Sequence, residues 1–298
     1  MLSIVTSVYK TAQFLDEFEA RASAAARAIG LEDYEMIFVI DGSPDDAVVR
    51  LCAIKARNPR VRVVELSRNF GHHPALWCGL EQARGDLVFL TDSDLETAPE
   101  VLGELLAALE DNDAAFACRA EQRRWTSLLF WRMFGALAEV PVAANMLTER
   151  LMRRQYVETL LRMNDRALFL GGMMAWIGFR QAAVPVVRTR RPGPPSYRWW
   201  QRFALAFDAI TSFSVAPLKA LFAAGVALAA VSLVVGVSLI GVKLANPAYI
   251  VPGFTALAVL LLFSVGSILG AIGLVGLYLG KVFLQTKNRP LYVIRREM

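Results

Sequence analysis

Three carboxylates follow an apolar run in the stretch GDLVFLTDSDLE, residues 85–96. Asp92 and Asp94 stand one residue apart, and Glu96 comes two positions later. Carboxylate oxygens at this spacing can hold Mg²⁺ or Mn²⁺ against the phosphates of a substrate, because both cations prefer hard oxygen ligands. The same residues also suit a polar turn that leads into a helix. The spacing alone does not separate a metal site from a plain turn.

The elements around these carboxylates predict how they are positioned. From residue 1 to about residue 120, short apolar runs alternate with stretches of helical periodicity. This alternation is typical of a mainly parallel sheet wrapped by helices, and such sheets bind ligands beyond the carboxyl ends of their strands. We therefore expect Tyr9, Asp41, residues 67–69 and residues 92–94 to face one crevice. The predicted strands are residues 3–9, 35–40, 61–66, 87–91 and 114–118.

Two long apolar runs, residues 217–242 and 251–279, follow this region, and Lys219 and Lys243 are the only charged residues between positions 209 and 280. Each run exceeds the ~20 residues that a helix needs to cross the ~30 Å hydrocarbon core of a bilayer. Buried core helices would need an apolar shell that the remaining sequence scarcely supplies, so we predict two transmembrane helices. Basic residues after the second run place both termini in the cytoplasm by the positive-inside rule. These residues are Lys281, Lys287, Arg289, Arg295 and Arg296.

The predicted organisation has four parts: a cytoplasmic domain at 1–196, an interfacial amphipathic helix at 197–214, a transmembrane hairpin at 215–280 and a basic cytoplasmic tail at 281–298. The aromatic-rich residues 125–138 form either a core helix or a second interfacial helix. No charged-then-apolar leader with a cleavage site opens the sequence. The three cysteines lack paired spacing, which suits a reduced cytosolic domain and indicates neither a disulfide framework nor a zinc site.

The composition of the second half also predicts partners. Five arginines and no acid lie between positions 188 and 202, and such a segment is attracted to anionic lipid headgroups. No nucleic-acid motif accompanies it, so nucleic acid is not an expected partner. A stripe of small residues at positions 266–280 can pack against another helix. Together with the possible strand RPLYVIRRE, it favours a homo-oligomer.

The order of the motifs carries a family resemblance. VIDGSPDD, ELSRNFGHHPAL and LTDSDLE follow successive predicted strands, and FLGGMMAWIGFRQ and FDAITSFSVAPL come before the first apolar run. This series resembles the family 2 glycosyltransferases with a GT-A fold. It is most similar to the branch that charges polyisoprenyl phosphates with a sugar, the dolichol-phosphate mannose synthase and bactoprenol glucosyltransferase group. The resemblance spans nearly the whole chain and implies an α/β, Rossmann-like domain with a mainly parallel sheet, followed by interfacial helices and two transmembrane helices.

The resemblance implies a nucleotide-sugar site. Asp41 matches the acid that contacts the base or ribose, although Asp-Gly-Ser alone would also suit a turn. Asp94 is the implied direct ligand of Mg²⁺ or Mn²⁺, Asp92 meets the ribose or a metal-bound water, and Glu96 assists where many relatives carry glutamine. His72 and His73 are interpreted as cap or surface residues, because adjacent histidines cannot share one helical face. The implied donor-binding residues are Val8, Tyr9, Asp41, Ser43, Arg68, Asn69, Gly71 and Asp92.

The resemblance also implies a lipid-phosphate site, which suits arginine because its guanidinium binds phosphate through two hydrogen bonds. The candidates are Arg119, Arg123, Arg124 and Arg198. Many relatives carry an aspartate, proposed as a base, where this chain has Thr148, and we assign the adjacent Glu149 as its substitute. The lysine of the SKY segment found in many relatives is also absent from PSYRWW here. A phosphate monoester is already largely dianionic at neutral pH, so it needs positioning more than deprotonation.

These observations predict a multi-pass enzyme of the inner membrane. It would move one sugar, with inversion, from a nucleoside diphosphate sugar to undecaprenyl phosphate on the cytoplasmic face, and a uridine donor is preferred. One alternative is an enzyme that acts on another membrane lipid or a glycan. Another is a non-catalytic scaffold that binds nucleotide sugars. Two spans are too few for the secretion channel of a processive polymer synthase, and neither span carries a charge near its centre, which argues against transport.

Overall fold

The computed structural model describes residues 1–120, 146–163, 165–166, 168–187, 214–246 and 253–298. The predicted helix at 125–138 and nearly all of the predicted interfacial helix at 197–214 lie outside these residues. Three of the four candidate lipid-phosphate arginines, Arg123, Arg124 and Arg198, lie outside them as well. The four-part division of the chain therefore stays a prediction.

The described residues contain one eight-stranded sheet with the order β7-β5-β6-β4-β1-β2-β3-β8. Strands β1 to β4 pair in parallel in the order β4-β1-β2-β3. Strand β6 runs antiparallel to both β4 and β5, whereas β7 is parallel to β5 and β8 is antiparallel to β3. The strands are β1 Leu2–Val8, β2 Tyr34–Ile40, β3 Val61–Leu66, β4 Leu87–Leu90, β5 Ala114–Arg119, β6 Met146–Arg153, β7 Gln181–Val186 and β8 Ile294–Glu297.

Helices cover both faces of the sheet. One face packs against α1, α2 and α4, and the other packs against α3, α5 and α6. The alternation of side chains along a strand divides the core, so that Ile4 and Phe38 face the first layer while Val5 and Ile37 face the second. The helices are α1 Leu15–Ala28, α2 Ala47–Arg57, α3 His72–Gln82, α4 Leu102–Ala108, α5 Arg154–Leu161, α6 Leu170–Trp176, α7 Ala216–Ala245 and α8 Phe254–Thr286.

The predicted α/β fold class is confirmed, and the five predicted strands occur within two residues of their expected ends. The sheet is more mixed than expected, because β6 and β8 run antiparallel to their neighbours. The terminal segment RPLYVIRRE does contain a strand, but it pairs with β3 of the same chain. β8 is the last strand of the described sheet, and the homo-oligomer stays a prediction.

Helices α7 and α8 match the two apolar runs. Each contains a window long and apolar enough to cross a membrane, Ala216–Ser238 and Phe263–Thr286, and neither window is buried against protein. At ~1.5 Å rise per residue, a window of 23 residues covers ~34 Å. Large apolar side chains on both helices are exposed, for example Leu233 and Leu261. This exposure argues against buried core helices, the alternative that the sequence analysis had rejected.

Candidate active site

The loops that follow β1, β2 and β4 are joined by hydrogen bonds at the carboxyl edge of the parallel strands. The Lys10 backbone N–H donates to Ser43 Oγ at 2.8 Å, and this hydroxyl donates to Asp45 Oδ1 at 2.6 Å. The hydroxyls of Thr11 and Ser93 lie 2.9 Å apart. Ser43 therefore connects two loops through its side chain, and the donor crevice expected from the sequence has a hydrogen-bonded rim.

Asp41 follows β2 and is almost fully buried. Its Oδ1 accepts the Phe70 N–H at 2.6 Å, and its Oδ2 accepts the Gly71 N–H at 2.9 Å. Burial raises the pKa of the Asp41 carboxyl, while the two backbone hydrogen bonds and nearby His72 and Arg68 oppose that rise. Asp41 thus holds the loop after β3 in place. The contact of Asp41 with a base or ribose stays a prediction.

Gly42 explains why the loops after β2 and β3 approach so closely. Its φ is +58°, and a Cβ atom at this position would lie 2.4 Å from the Asn69 nitrogen and 2.6 Å from the Arg68 carbonyl carbon. Only glycine combines a left-handed conformation with such a backbone contact at no steric cost. The DGS and SRNFGH motifs therefore pack directly against each other through their backbones.

The acidic loop after β4 is only partly buried at its three carboxylates. Asp94 Oδ1 accepts the Glu96 N–H at 3.0 Å, and Leu95 between them has φ +58°. A non-glycine residue in the left-handed region costs about 1–3 kcal/mol and is most often found at functional sites. The loop is therefore a tight turn, as one interpretation predicted, and two of its carboxylates, Asp92 and Asp94, lie near His72.

The carboxylates of Asp92, Asp94 and Glu96 are the groups of this loop that could bind a metal ion. Across the described ranges, no three His, Cys, Asp or Glu side chains are arranged to hold a metal ion. Asp92, Asp94 and Glu96 thus do not form a preformed protein cage. Mg²⁺ is commonly held by one or two carboxylates together with substrate phosphates. The residues fit a cation that arrives with a diphosphate.

His72 is a crevice residue that the sequence interpretation missed. Its Nδ1 lies 3.0 Å from Ser7 Oγ, and its Nε2 lies 3.5 Å from Asp92 Oδ1. Burial lowers the pKa of His72, although Asp41 and Asp94 oppose that effect. His73 turns away, with Nδ1 3.0 Å from the Leu168 carbonyl. The histidines diverge, as expected for neighbours on a helix.

The remaining donor-site candidates differ in accessibility. The Val8 side chain lies in the core, and its carbonyl accepts the Asp41 N–H at 3.1 Å, so Val8 shapes the crevice from below. Tyr9 is exposed at its edge. Arg68 is also exposed; its guanidinium donates to the Asn69 carbonyl at 3.0 Å and stacks on Phe70, with the ring centroid 4.1 Å away.

Arg119 ends β5 at the same edge of the sheet and is exposed. Leu90 of β4 and Phe116 of β5 flank the same residue, Arg150 of β6. Two strand spacings of ~4.8 Å therefore place the end of β5 ~10 Å to the side of the acidic loop. This distance suits a phosphate site beside the donor crevice.

Glu149 is not placed as the sequence interpretation required. It lies in the middle of β6 with 1% of its surface exposed, and its neighbours on the same strand face, Leu147 and Leu151, belong to the core layer beneath α1 and α4. A base must reach the proton of its substrate. The structure therefore disfavours Glu149 as the catalytic base and indicates a buried structural carboxylate.

Comparisons with known proteins agree with this geometry. Residues 3–180 match the model of glycosyl transferase family 2. A Mycobacterium tuberculosis protein described as a putative glycosyltransferase is 38% identical over 99% of this chain and 87% of its own length. The SfII prophage-derived bactoprenol glucosyl transferase of Shigella flexneri is 32% identical over 89% of this chain and 88% of its own length.

Proposed function

Because the chain belongs to glycosyl transferase family 2, we propose that it moves a single sugar from a nucleoside diphosphate sugar to a polyprenyl phosphate at a membrane surface. Glycosyl transfer itself follows from the family. The donor, the acceptor, the metal and the membrane anchor are the proposed parts. The observation that carries the proposal is the convergence of the loops after β1, β2, β3 and β4 on one crevice that Asp92 and Asp94 line.

The crevice suits a diphosphate donor. Asp41 and Gly42 hold the loops after β2 and β3 against each other, and we assign the base and ribose of the donor to this place. The carboxylates of Asp92 and Asp94 stand where the diphosphate would extend from this pocket. They would hold Mg²⁺ or Mn²⁺, which when bound stabilises the charge on the departing nucleoside diphosphate. Glu96 lies in the same loop and assists in holding the cation.

A phosphate acceptor explains why the site can lack a base. The second pKa of a phosphate monoester is about 6, so its oxygen is an anionic nucleophile at neutral pH. The protein then has to orient this oxygen behind the anomeric carbon, which gives inversion, and to screen its charge. Arg119 at the end of β5 is the described residue best placed for the second task, and Arg123, Arg124 and Arg198 remain candidates from the sequence.

The polyprenyl part of the acceptor is supported by two features. The bactoprenol glucosyl transferase relative aligns with 89% of this chain, so the likeness extends beyond the catalytic domain. Helices α7 and α8 would anchor the chain in the bilayer, where a polyprenyl phosphate resides. We place the catalytic domain and both termini in the cytoplasm, where nucleotide sugars are available.

The test is a transfer assay with the full chain in vesicles that contain undecaprenyl phosphate. Radiolabelled UDP-glucose, UDP-N-acetylglucosamine and GDP-mannose are offered in turn, with Mg²⁺, with Mn²⁺ or with EDTA. We expect one donor to label the lipid, with loss of labelling in EDTA. If label appears only in a glycan or in another lipid, the acceptor is wrong. If no donor is consumed under any condition, the transfer reaction itself is wrong.

A further inference from the structure

The chain that follows α8 returns to the catalytic domain and contacts both elements that flank the donor loop, residues 67–71. We propose that residues 291–298, here called the return segment, position this loop for donor binding and so connect the donor pocket to the second apolar helix. The proposal rests on the proposed function, because it assigns donor binding to this loop. The return segment would act through the donor loop and would not contact the sugar itself.

Backbone hydrogen bonds attach the return segment along β3. Val63 and Met298 exchange two of them, at 3.1 Å and 2.8 Å. A third runs from the Ser67 N–H to the Val293 carbonyl at 2.9 Å, and Ser67 is the first residue of the donor loop. Since β3 is followed only by β8 in the order of the described sheet, removing the segment would turn β3 into an open edge strand.

Charged side chains reinforce this attachment. Arg295 and Arg296 contact the two oxygens of Glu65, at 3.3 Å and 2.5 Å. The Glu65 side chain is 10% exposed, whereas those of Arg295 and Arg296 are 67% and 52% exposed, so each pair makes only a modest contribution to stability. Glu65 lies two residues before Ser67. The return segment therefore fixes the end of β3 from which the donor loop departs.

A second contact fixes the element on the far side of the loop. The Tyr292 hydroxyl donates to Glu81 of α3, whose other carboxylate oxygen accepts the Trp77 Nε1–H at 2.7 Å. Burial and the negative charge of Glu81 raise the pKa of Tyr292, so the hydroxyl remains a donor. Leu291, Tyr292 and Ile294 also pack against the apolar core layer that includes α3.

One segment thus contacts the strand that precedes the donor loop and the helix that follows it. The donor loop begins at Ser67 after β3 and ends at Gly71 before α3, and its backbone meets Asp41 and Gly42. A change in the spacing of β3 and α3 would alter the pocket that these residues form. The expected consequence is weaker donor binding, with little change in the acceptor site on the other side of the acidic loop.

The other end of the return segment connects to α8. This helix ends at Thr286, five positions before Leu291, and a catalytic-domain loop holds its end. The Arg166 N–H donates to Gln285 Oε1 at 2.9 Å, and the Arg166 guanidinium donates to Asn288 Oδ1. The Ser67 N–H donates to the Val293 carbonyl at the carboxyl edge of the sheet. The donor crevice and the end of α8 therefore lie on the same side of the sheet.

The test compares the full chain in detergent with two variants, Tyr292→Phe and a chain that lacks residues 292–298. The control is Arg289→Ala, because this exposed arginine precedes the segment. Binding of UDP, GDP and ADP is measured by calorimetry, and hydrogen exchange is followed at residues 67–71. We expect the truncated chain to bind the preferred nucleotide about tenfold more weakly and Tyr292→Phe about threefold more weakly. Faster exchange at residues 67–71 should accompany both changes.

Unchanged nucleotide affinity and unchanged exchange at residues 67–71 in Tyr292→Phe would overturn the proposal, whatever the truncated chain does. Unchanged affinity in a truncated chain that keeps its circular dichroism spectrum would also overturn it. These readouts need no sugar transfer. If the full chain binds a nucleotide and the variants weaken that binding while no lipid is labelled, the proposed reaction fails and the positioning role stands.

Discussion

The two halves of the sheet differ in the groups that their described residues present at the carboxyl edge. In the parallel half, β4-β1-β2-β3, side chains such as Ser43, Asp41 and Ser93 bind the backbone or side chains of neighbouring loops. In the other half, β7-β5-β6, an antiparallel strand separates β4 from β5, and the exposed Arg119 stands at the edge. The first half carries acidic groups and the second presents a basic one.

This difference indicates a division of work. A nucleoside diphosphate sugar has many polar groups at fixed spacing, and a preorganised pocket binds it without paying for loop ordering. A polyprenyl phosphate has one charged group on a flexible chain, and a basic site beside the crevice is enough to position it. We therefore expect substitutions in the parallel half to change donor binding or the chemical step, and substitutions at β5 to change acceptor binding.

The largest effect is expected at the acidic loop. We predict that Asp94→Asn lowers kcat by about 10²–10³-fold, the loss typical when one stabiliser of transition-state charge is removed. The full chain and the variant are compared in the lipid-labelling assay at saturating donor and metal. Asp46→Asn is the control, because Asp46 is a surface residue paired with Arg50. A variant rate within twofold of the parent would remove Asp94 from the mechanism.

A smaller effect is expected from Gly42→Ala. The added Cβ meets Asn69 and Arg68, and the left-handed backbone becomes strained, so we predict about tenfold weaker nucleotide binding and a free energy of unfolding lower by about 1–3 kcal/mol. Gly30→Ala is the matched control. Gly30 has φ +76° and no atom within 4 Å of the added Cβ, so it tests the strain without the contact. Equal nucleotide affinities in the two variants would contradict a pocket built on this backbone contact.

The most selective effect is expected at Arg119. We predict that Arg119→Ala raises the KM for undecaprenyl phosphate about tenfold, the loss of one charge-assisted contact, and leaves nucleotide affinity unchanged. Arg119→Lys should recover part of the loss, since it keeps the charge but not the paired hydrogen bonds. Arg27→Ala, an exposed arginine in the last turn of α1, serves as the control. A change confined to nucleotide binding would reverse the proposed division between the halves.

Sequence patterns predicted the parallel half well because its strands are apolar runs that end in polar motifs. Strand β6 was missed since Thr148, Glu149 and Arg150 interrupt its apolar pattern, although Glu149 and Arg150 are buried between β4 and β5. Strand β7 contains Pro185, which is tolerated because β7 stands at the edge of the described sheet.

In the site, too, the sequence predicted only those positions that follow from the order of the strands. Asp41 and the carboxylates of residues 92–94 could be placed from the sequence, because residues just past parallel strands meet at one edge. His72 could not, since its contacts with Ser7 and Asp92 depend on how α3 packs. The burial of Glu149 depends on the insertion of β6 between two strands that are distant in sequence, which no local pattern records. The role of the return segment depends on a pairing between residues more than 220 positions apart.

Strand β8 is synthesised after both apolar helices, so the sheet can be completed only late in synthesis. The seven other described strands precede both apolar helices, and 107 residues separate β7 from β8. Because 227 residues separate β3 from β8, synthesis at ~5–20 residues per second leaves β3 without this partner for about 11–45 s. During that interval both helices leave the ribosome and can enter a bilayer. If β8 positions the donor loop as proposed, this loop reaches its final form only after both apolar helices have been synthesised.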